Sequence, residues 1–280
     1  MKRSIVLNLL AITASTTLFV ASALADGAIT VKGSDTMVLL GQKWAEVYMK
    51  KNPAVQIQVT GGGSGTGIAA LINGTTDIAE SSRPMKPAET TNAESKQGGK
   101  VKEIPVALDA LSIYVNSANP LTEISLPQAR KIYTGQVTNW KEVGGNDAPI
   151  TLYSRENNSG TYVFFKEHVL QNDDFDPSAQ TLPGTASVVN AVSKDPNGIG
   201  YGGIAYAEGI KPLKIKKDDN APAVEGTLEN AQSGKYGLAR ELYFYMFPNK
   251  NKAADEFVTW VLSPDGQKVV GDVGYYPLKH

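Results

Sequence analysis

The chain has 280 residues, 41% of them hydrophobic, with 27 basic against 28 acidic side chains and no cysteine. This is the composition of a globular protein of one large domain or two ordinary ones. Nearly balanced charge gives no reason to expect nucleic acid or an anionic membrane surface as a partner, and a chain without disulfides must rest on its core alone.

The N-terminus, MKRSIVLNLLAITASTTLFVASALADG, sets Lys2 and Arg3 before an apolar stretch that closes on Ala23-Leu24-Ala25. This is the pattern of a secretory signal over residues 1–25, cut at an A-x-A site before Asp26. Asn8, Thr13, Ser15, Thr16 and Thr17 dilute the stretch and count against a retained membrane anchor. With the leader removed the net charge is about −3, and no cysteine is present to carry a lipid. The mature chain is expected free in a bacterial periplasm.

Strand and helix signals then alternate, which predicts an α/β fold. AITVKG reads as a strand, and Met37, Leu40, Trp44, Val47 and Tyr48 follow at helical spacing until Asn52-Pro53. Val55, Ile57 and Val59 alternate as a strand that runs into TGGGSGTG and a helix closed near Gly74. TDIAESSRPM is a short strand leading into a loop, and the polar 87–100 segment is a surface helix. Residues 104–116 form a long β-rich run that carries the chain toward a second lobe. PITLYS, a helix from about Ser159, and the strand and turn of NGIGYGGIAYA belong there. ELYFYMF brings the chain back, and a helix over 252–262 follows. Two crossings predict discontinuous lobes, 26–109 with 240–280 and 110–239, joined by a two-strand hinge. Trp44, Trp140 and the aromatic runs read as core, residues 211–225 as solvated surface, and His168 as a packing or surface residue; a lining role for Tyr201 and Tyr206 stays open.

Three turns share one plan, a strand, a hydroxyl-rich turn and a helix: Gly33-Ser34-Asp35-Thr36, the glycine turn with Ser64-Gly65-Thr66, and Ser159-Gly160-Thr161 with Arg155 four residues ahead. Glu80-Ser81-Ser82-Arg83-Pro84 is a fourth candidate. Singly, each reads equally well as an N-cap. Together they place donors at the carboxyl ends of strands, where α/β sheets bind ligands. Hydroxyls, helix-start amides and a guanidinium converging on one point describe an oxyanion site that needs no metal. Gly67 is followed by Ile68, so no P-loop lysine is present, and Thr66 breaks the G-x-S-x-G frame of a nucleophile elbow. Two histidines, one of them terminal, leave no evident base or transition-metal set.

GSDTM, GGGSGTGIAALINGTTDIAESSRPM, IYTGQVTNWKEVGG, SRENNSGTYVFF and GIGYGGIAYA, in this order, resemble the periplasmic phosphate-binding proteins of ABC-type phosphate transporters. The resemblance runs from about residue 28 to the C-terminus. It implies a periplasmic-binding-protein architecture of type II, two α/β lobes closing over one phosphate, with no catalysis and no cofactor. It implies a monomer that delivers inorganic phosphate to a membrane permease. By the family's motifs, the phosphate-binding positions are Thr36, Met37, Ser64, Ser82, Arg155, Ser159, Gly160 and Thr161. Where the best-known members carry an aspartate that accepts the proton of phosphate, this chain has Ser82, and Asn157 replaces a second carboxylate. Asp35 or Asp109 then becomes the candidate acceptor, and Arg83 a candidate source of extra charge. The rival readings are a receptor for sulfate, molybdate or tungstate, an exported phosphatase, and a scaffold.

Overall fold

The computed structural model describes residues 27–279, so the leader lies outside the described residues. Along the chain, β1 (Ala28–Gly33), α1 (Val38–Lys51), β2 (Gln56–Thr60), α2 (Ser64–Ile72), β3 (Ile78–Ser81) and α3 (Pro87–Gln97) form the first group. The long β4 (Lys102–Val115) leads to β5 (Glu123–Ser125), α4 (Leu126–Tyr133), β6 (Thr151–Arg155), α5 (Gly160–His168), β7 (Gln180–Leu182), α6 (Gly184–Lys194) and β8 (Gly198–Gly203). Then come β9 (Lys211–Pro212), β10 (Lys214–Lys216), α7 (Leu228–Gln232), β11 (Ala239–Met246), α8 (Lys252–Val261) and α9 (Pro264–Val273).

The main sheet runs β2-β1-β3-β11-β4-β8-β6-β7, and β4 holds it together. Its first part, through Ala110, pairs antiparallel with β11; from Leu111 onward it pairs with β8. The sheet curls at this change of partner, and two cores form on either side of it. One gathers Ile29, Val31, Leu40, Trp44, Phe244 and Phe257. The other gathers Ile113, Ile132, Tyr133, Phe165 and Tyr201. The fold is therefore two α/β lobes, with β4 and β11 as the strands that cross between them.

The helical spacing of α1 places Leu40, Trp44 and Tyr48 inward, and Pro53 stops the helix as expected. Ser159 caps α5 by accepting from the Tyr162 amide at 3.3 Å. One expectation is corrected. Residues 211–225 are not wholly solvated surface: Leu213 and Ile215 are buried, and Ile215 bridges to Val224. In KPLKIKK the strand alternation sits beneath four lysines, and every second residue turns inward.

Candidate functional site

Because β2 and β3 both run parallel to β1, the turns after these three strands emerge on one edge of the first lobe. The turn after β6 faces them from the second lobe. Thr36 and Thr161 approach Oγ1 to Oγ1 at 2.7 Å, Ser34 Oγ donates to Ser82 Oγ at 3.0 Å, and Ser64 and Ser82 lie 3.4 Å apart, all buried. Gly160 sits against this cluster so closely that a Cβ there would collide with Ser64 Oγ and Ser82 Oγ.

Several of these hydroxyls already accept a hydrogen bond from the protein. Ser64 takes the Ser82 amide at 3.1 Å, Ser159 the Tyr162 amide, and Ser82 the Ser34 hydroxyl. A hydroxyl carries one proton and two acceptor positions. Filling an acceptor position from the protein side leaves the proton to be donated elsewhere, which suits an anion.

Arg155 is 2% exposed, at the end of β6. Its Nη1 donates to Thr185 Oγ1 at 2.7 Å and its Nη2 to Asp35 Oδ2 at 3.0 Å. Among the described residues Nε has no partner, and one hydrogen remains on each terminal nitrogen. Burial pushes the guanidinium's pKa down, Asp35 pushes it back up, and Arg240 adds to the lowering. Asp35 is itself held by the Gly62 amide at 2.8 Å. A recess of about 320 Å³ lined by Arg155, Glu156, Asn157, Asn158, Tyr162 and Thr181 lies beside this pair.

A second arginine reaches the same cluster. Arg240 on β11 donates from Nε at 3.0 Å and Nη2 at 2.8 Å to Asp109 Oδ2. Its Nη2 also meets Thr161 Oγ1 at 2.9 Å, and its Nη1 the Ser82 carbonyl at 3.2 Å. Sequence reading missed Arg240, which stands in no recognisable turn. It also missed Thr185 and Asn158 as members of the cluster, and named Ser34 only as part of its turn.

Asn158 answers what the glycine turn is for. Its Nδ2 donates to the Gly62 carbonyl at 3.0 Å and to Thr66 Oγ1 at 3.2 Å, while its own carbonyl accepts from the Gly65 amide at 2.9 Å. Gly63 has φ +91°, and a Cβ there would come within 2.8 Å of the Asn158 carbonyl oxygen. Glycine is needed for the positive φ and for the approach of the opposite lobe.

The remaining expected residues fall as follows. Thr36, Ser64, Ser82, Arg155, Ser159, Gly160, Thr161 and Asp35 all lie in the cluster or against it. The Met37 amide is engaged by the Ser34 carbonyl at 2.9 Å, and its side chain is in the core. Arg83 forks onto Glu89, 2.8 Å from each carboxylate oxygen, and bonds the Pro84 carbonyl. Tyr201 supports Arg155 from behind, its hydroxyl bonded to Ser154 Oγ and the Arg155 amide, and Tyr206 donates to the Asp35 carbonyl. His168 stacks on Phe164 with ring centroids 3.9 Å apart, at the far end of α5 from the cluster. A larger recess, about 500 Å³, lined by Leu126, Arg130, Lys131, His168 and Gln171 among others, also lies at that far end.

Glu80 sits behind the turns, fully buried, with neither carboxylate oxygen partnered among the described residues. Burial first, then the charge of Asp35, raises its pKa well above the usual carboxylate range.

Residues 20–265 match the model of the PBP superfamily domain. Among characterised relatives, the phosphate-binding protein PstS of Pseudomonas aeruginosa is 39% identical over 90% of this chain and 83% of its own length. That of Staphylococcus epidermidis is 34% identical over 89% of this chain and 78% of its own. Among solved structures, one from Clostridium perfringens, described as a phosphate ABC transporter substrate-binding protein with bound phosphate, superposes with a TM-score of 0.83 at 29% identity, covering 90% of this chain and all of that one. An ABC-type phosphate transport receptor from Vibrio cholerae gives 0.71 at 28% identity, covering 89% of this chain and all of that one.

Proposed function

This chain belongs to the PBP superfamily and, within it, to the phosphate-binding proteins named PstS, and from that premise we propose an extracytoplasmic receptor that captures inorganic phosphate between its lobes for an ABC-type importer. It is a binding protein and not an enzyme, as its relatives are. The observation that carries the reading is Arg155, buried between the lobes with Nε unpartnered among the described residues, beside hydroxyls that each already accept one hydrogen bond from the protein side. Such a set has N–H and O–H protons left to donate, which is the complement of a phosphate dianion.

We assign the ring to Thr36, Ser64 and Ser82 from the first lobe and Arg155, Ser159, Gly160 and Thr161 from the second. The lobes divide as 26–109 with 240–280 and 110–239, which the change of β4's partner after Ala110 supports. Each lobe supplies part of the ring, so only the closed form makes every bond, and the ligand favours closure by its greater affinity for that state. Export by residues 1–25, delivery to a membrane permease and a monomeric state complete the proposal.

Selectivity turns on an acceptor for the proton that phosphate keeps and sulfate lacks. Ser82, engaged by Ser34, is a donor toward the ring. Asp35, joined to Arg155, keeps free acceptor positions on both oxygens and is our choice. The specific observation favouring a second reading, a receptor for other tetrahedral oxyanions, is Ser82 at the position of the family's aspartate. Thermal unfolding of refolded, anion-free protein separates the two. Phosphate at a hundred times its Kd stabilises by about 2.7 kcal/mol, and we expect sulfate to give no shift. An equal shift with sulfate establishes the second reading, and no shift with any oxyanion overturns both.

A further inference from the structure

Arg240 and Asp109 face each other in register on the two strands that cross between the lobes. Their side chains are 4% and 0% exposed. Three segments meet on this pair. Arg240 Nη1 holds the Ser82 carbonyl in the first lobe, and Nη2 reaches Thr161 Oγ1 at the start of α5 in the second. Asp109 Oδ1 accepts from the Ile204 amide at 3.1 Å, just past β8. The guanidinium carbon stands over the Phe164 ring, 5.2 Å from its centre.

The donor inventory decides what Arg240 can do. Its Nε and both hydrogens of Nη2 are used on Asp109 and Thr161, and one hydrogen of Nη1 is used on Ser82. It is nearly saturated where Arg155 is not, so it acts through its partners. An arginine N–H cannot reverse its role. The Thr161 hydroxyl must accept from it, and its proton then points toward Thr36 or the anion. Either hydroxyl can donate in the 2.7 Å contact between Thr36 and Thr161, so one proton of this pair is left for the ligand.

We propose that Arg240, held by Asp109, is a positioning residue of the anion site: by filling an acceptor position of Thr161 it turns that hydroxyl's proton toward Thr36 and the bound oxyanion, and it ties the hydroxyl across the cleft to the Ser82 loop. This rests on the phosphate-receptor reading. The contact to Thr161 joins a hinge strand to the second lobe's helix start, so the same guanidinium orients the ring and senses closure.

The test is calorimetric titration with inorganic phosphate of the refolded full-length mature protein, as wild type, Arg240→Lys, Thr161→Val and the two combined. Lysine keeps the charge but lacks the fork that reaches Asp109, Thr161 and Ser82 together. Each single variant is expected to lose about ten- to a hundredfold in affinity, and the combination no more than the worse single one, because both remove the same oriented proton. A folded Arg240→Lys protein with wild-type affinity, or losses that multiply, overturns the proposal. If Arg240→Lys does not fold, Asp109→Asn with Arg240→Gln removes both buried charges. That pair is expected to fold with the same loss of affinity, and wild-type affinity there overturns the proposal. A wild-type protein that gives no phosphate heat overturns the receptor reading itself.

Discussion

Two arginine–aspartate pairs, each with a buried guanidinium, stand in one cleft and differ in how those guanidiniums are used. Arg155 leaves Nε without a partner and rests on an aspartate whose side chain is 19% exposed. Arg240 is tied to Asp109, to the Ser82 carbonyl and to Thr161, and its aspartate has no exposure at all. The first pair is built with donors in reserve, the second with almost none. An ion pair in a binding cleft is therefore read from its unfilled hydrogens, since proximity to the site does not distinguish a ligand-holding group from a framework group.

The sharpest way to break this contrast is to truncate each arginine. Arg240→Ala leaves the Asp109 carboxylate buried and unpaired, and urea unfolding should show a loss of about 3–5 kcal/mol. Arg155→Ala leaves Asp35 with the Gly62 amide and water. Its stability should change little, while phosphate affinity falls by about 2–5 kcal/mol in calorimetry. Similar effects on stability for both variants would erase the distinction.

Gly160→Ala tests whether the lobes must meet where the ring forms. The added methyl collides with the Ser64 and Ser82 hydroxyls, so the chain should fold with both cores intact while the cleft is wedged open. A loss of affinity of about 1–3 kcal/mol with unchanged unfolding is expected.

Glu80 sharpens the comparison from a third side, as a buried carboxyl with no arginine. Its pKa is raised by burial and by Asp35. The unfolded chain ionises it in the ordinary carboxylate range, while the folded chain holds on to its proton to higher pH. Stability is therefore fully present below the unfolded value and is lost as pH rises toward the folded one, at up to about 1.4 kcal/mol per pH unit. Glu80→Gln should unfold like the wild type near pH 4 and at a higher temperature than it at pH 8. Identical melting profiles at both pH values would contradict a neutral Glu80.

The smallest effect is expected at Asn158, whose side chain bridges the lobes without belonging to either pair. Asn158→Ala removes two neutral hydrogen bonds, so affinity should fall by about 1–2 kcal/mol. Stopped-flow measurements should place that loss in the dissociation rate, since the clasp forms after encounter. A change confined to association would contradict the clasp.

What was legible in the sequence follows from how local each signal is. The helix starts at Ser64 and Ser159 announce themselves within a few residues, because a strand, a hydroxyl and an apolar helix are contiguous. The crossings were legible too, since β4 is one long β-rich run. α6 has a weak helical signature: β-branched residues interrupt GTASVVNAVSK, and Pro183 precedes it with no side-chain cap. Arg240 had no local signal at all. It is 79 residues from Thr161 and 158 from Ser82, and only the antiparallel register of β4 and β11 brings it to both.

The central claim is that the cleft between the lobes takes phosphate through Arg155 and the hydroxyl ring. Its most direct test is isothermal titration of refolded, phosphate-free mature protein with phosphate at neutral pH, repeated in excess sulfate. The account predicts tight one-to-one binding that sulfate does not weaken. Absence of phosphate binding, or its abolition by sulfate, would contradict it.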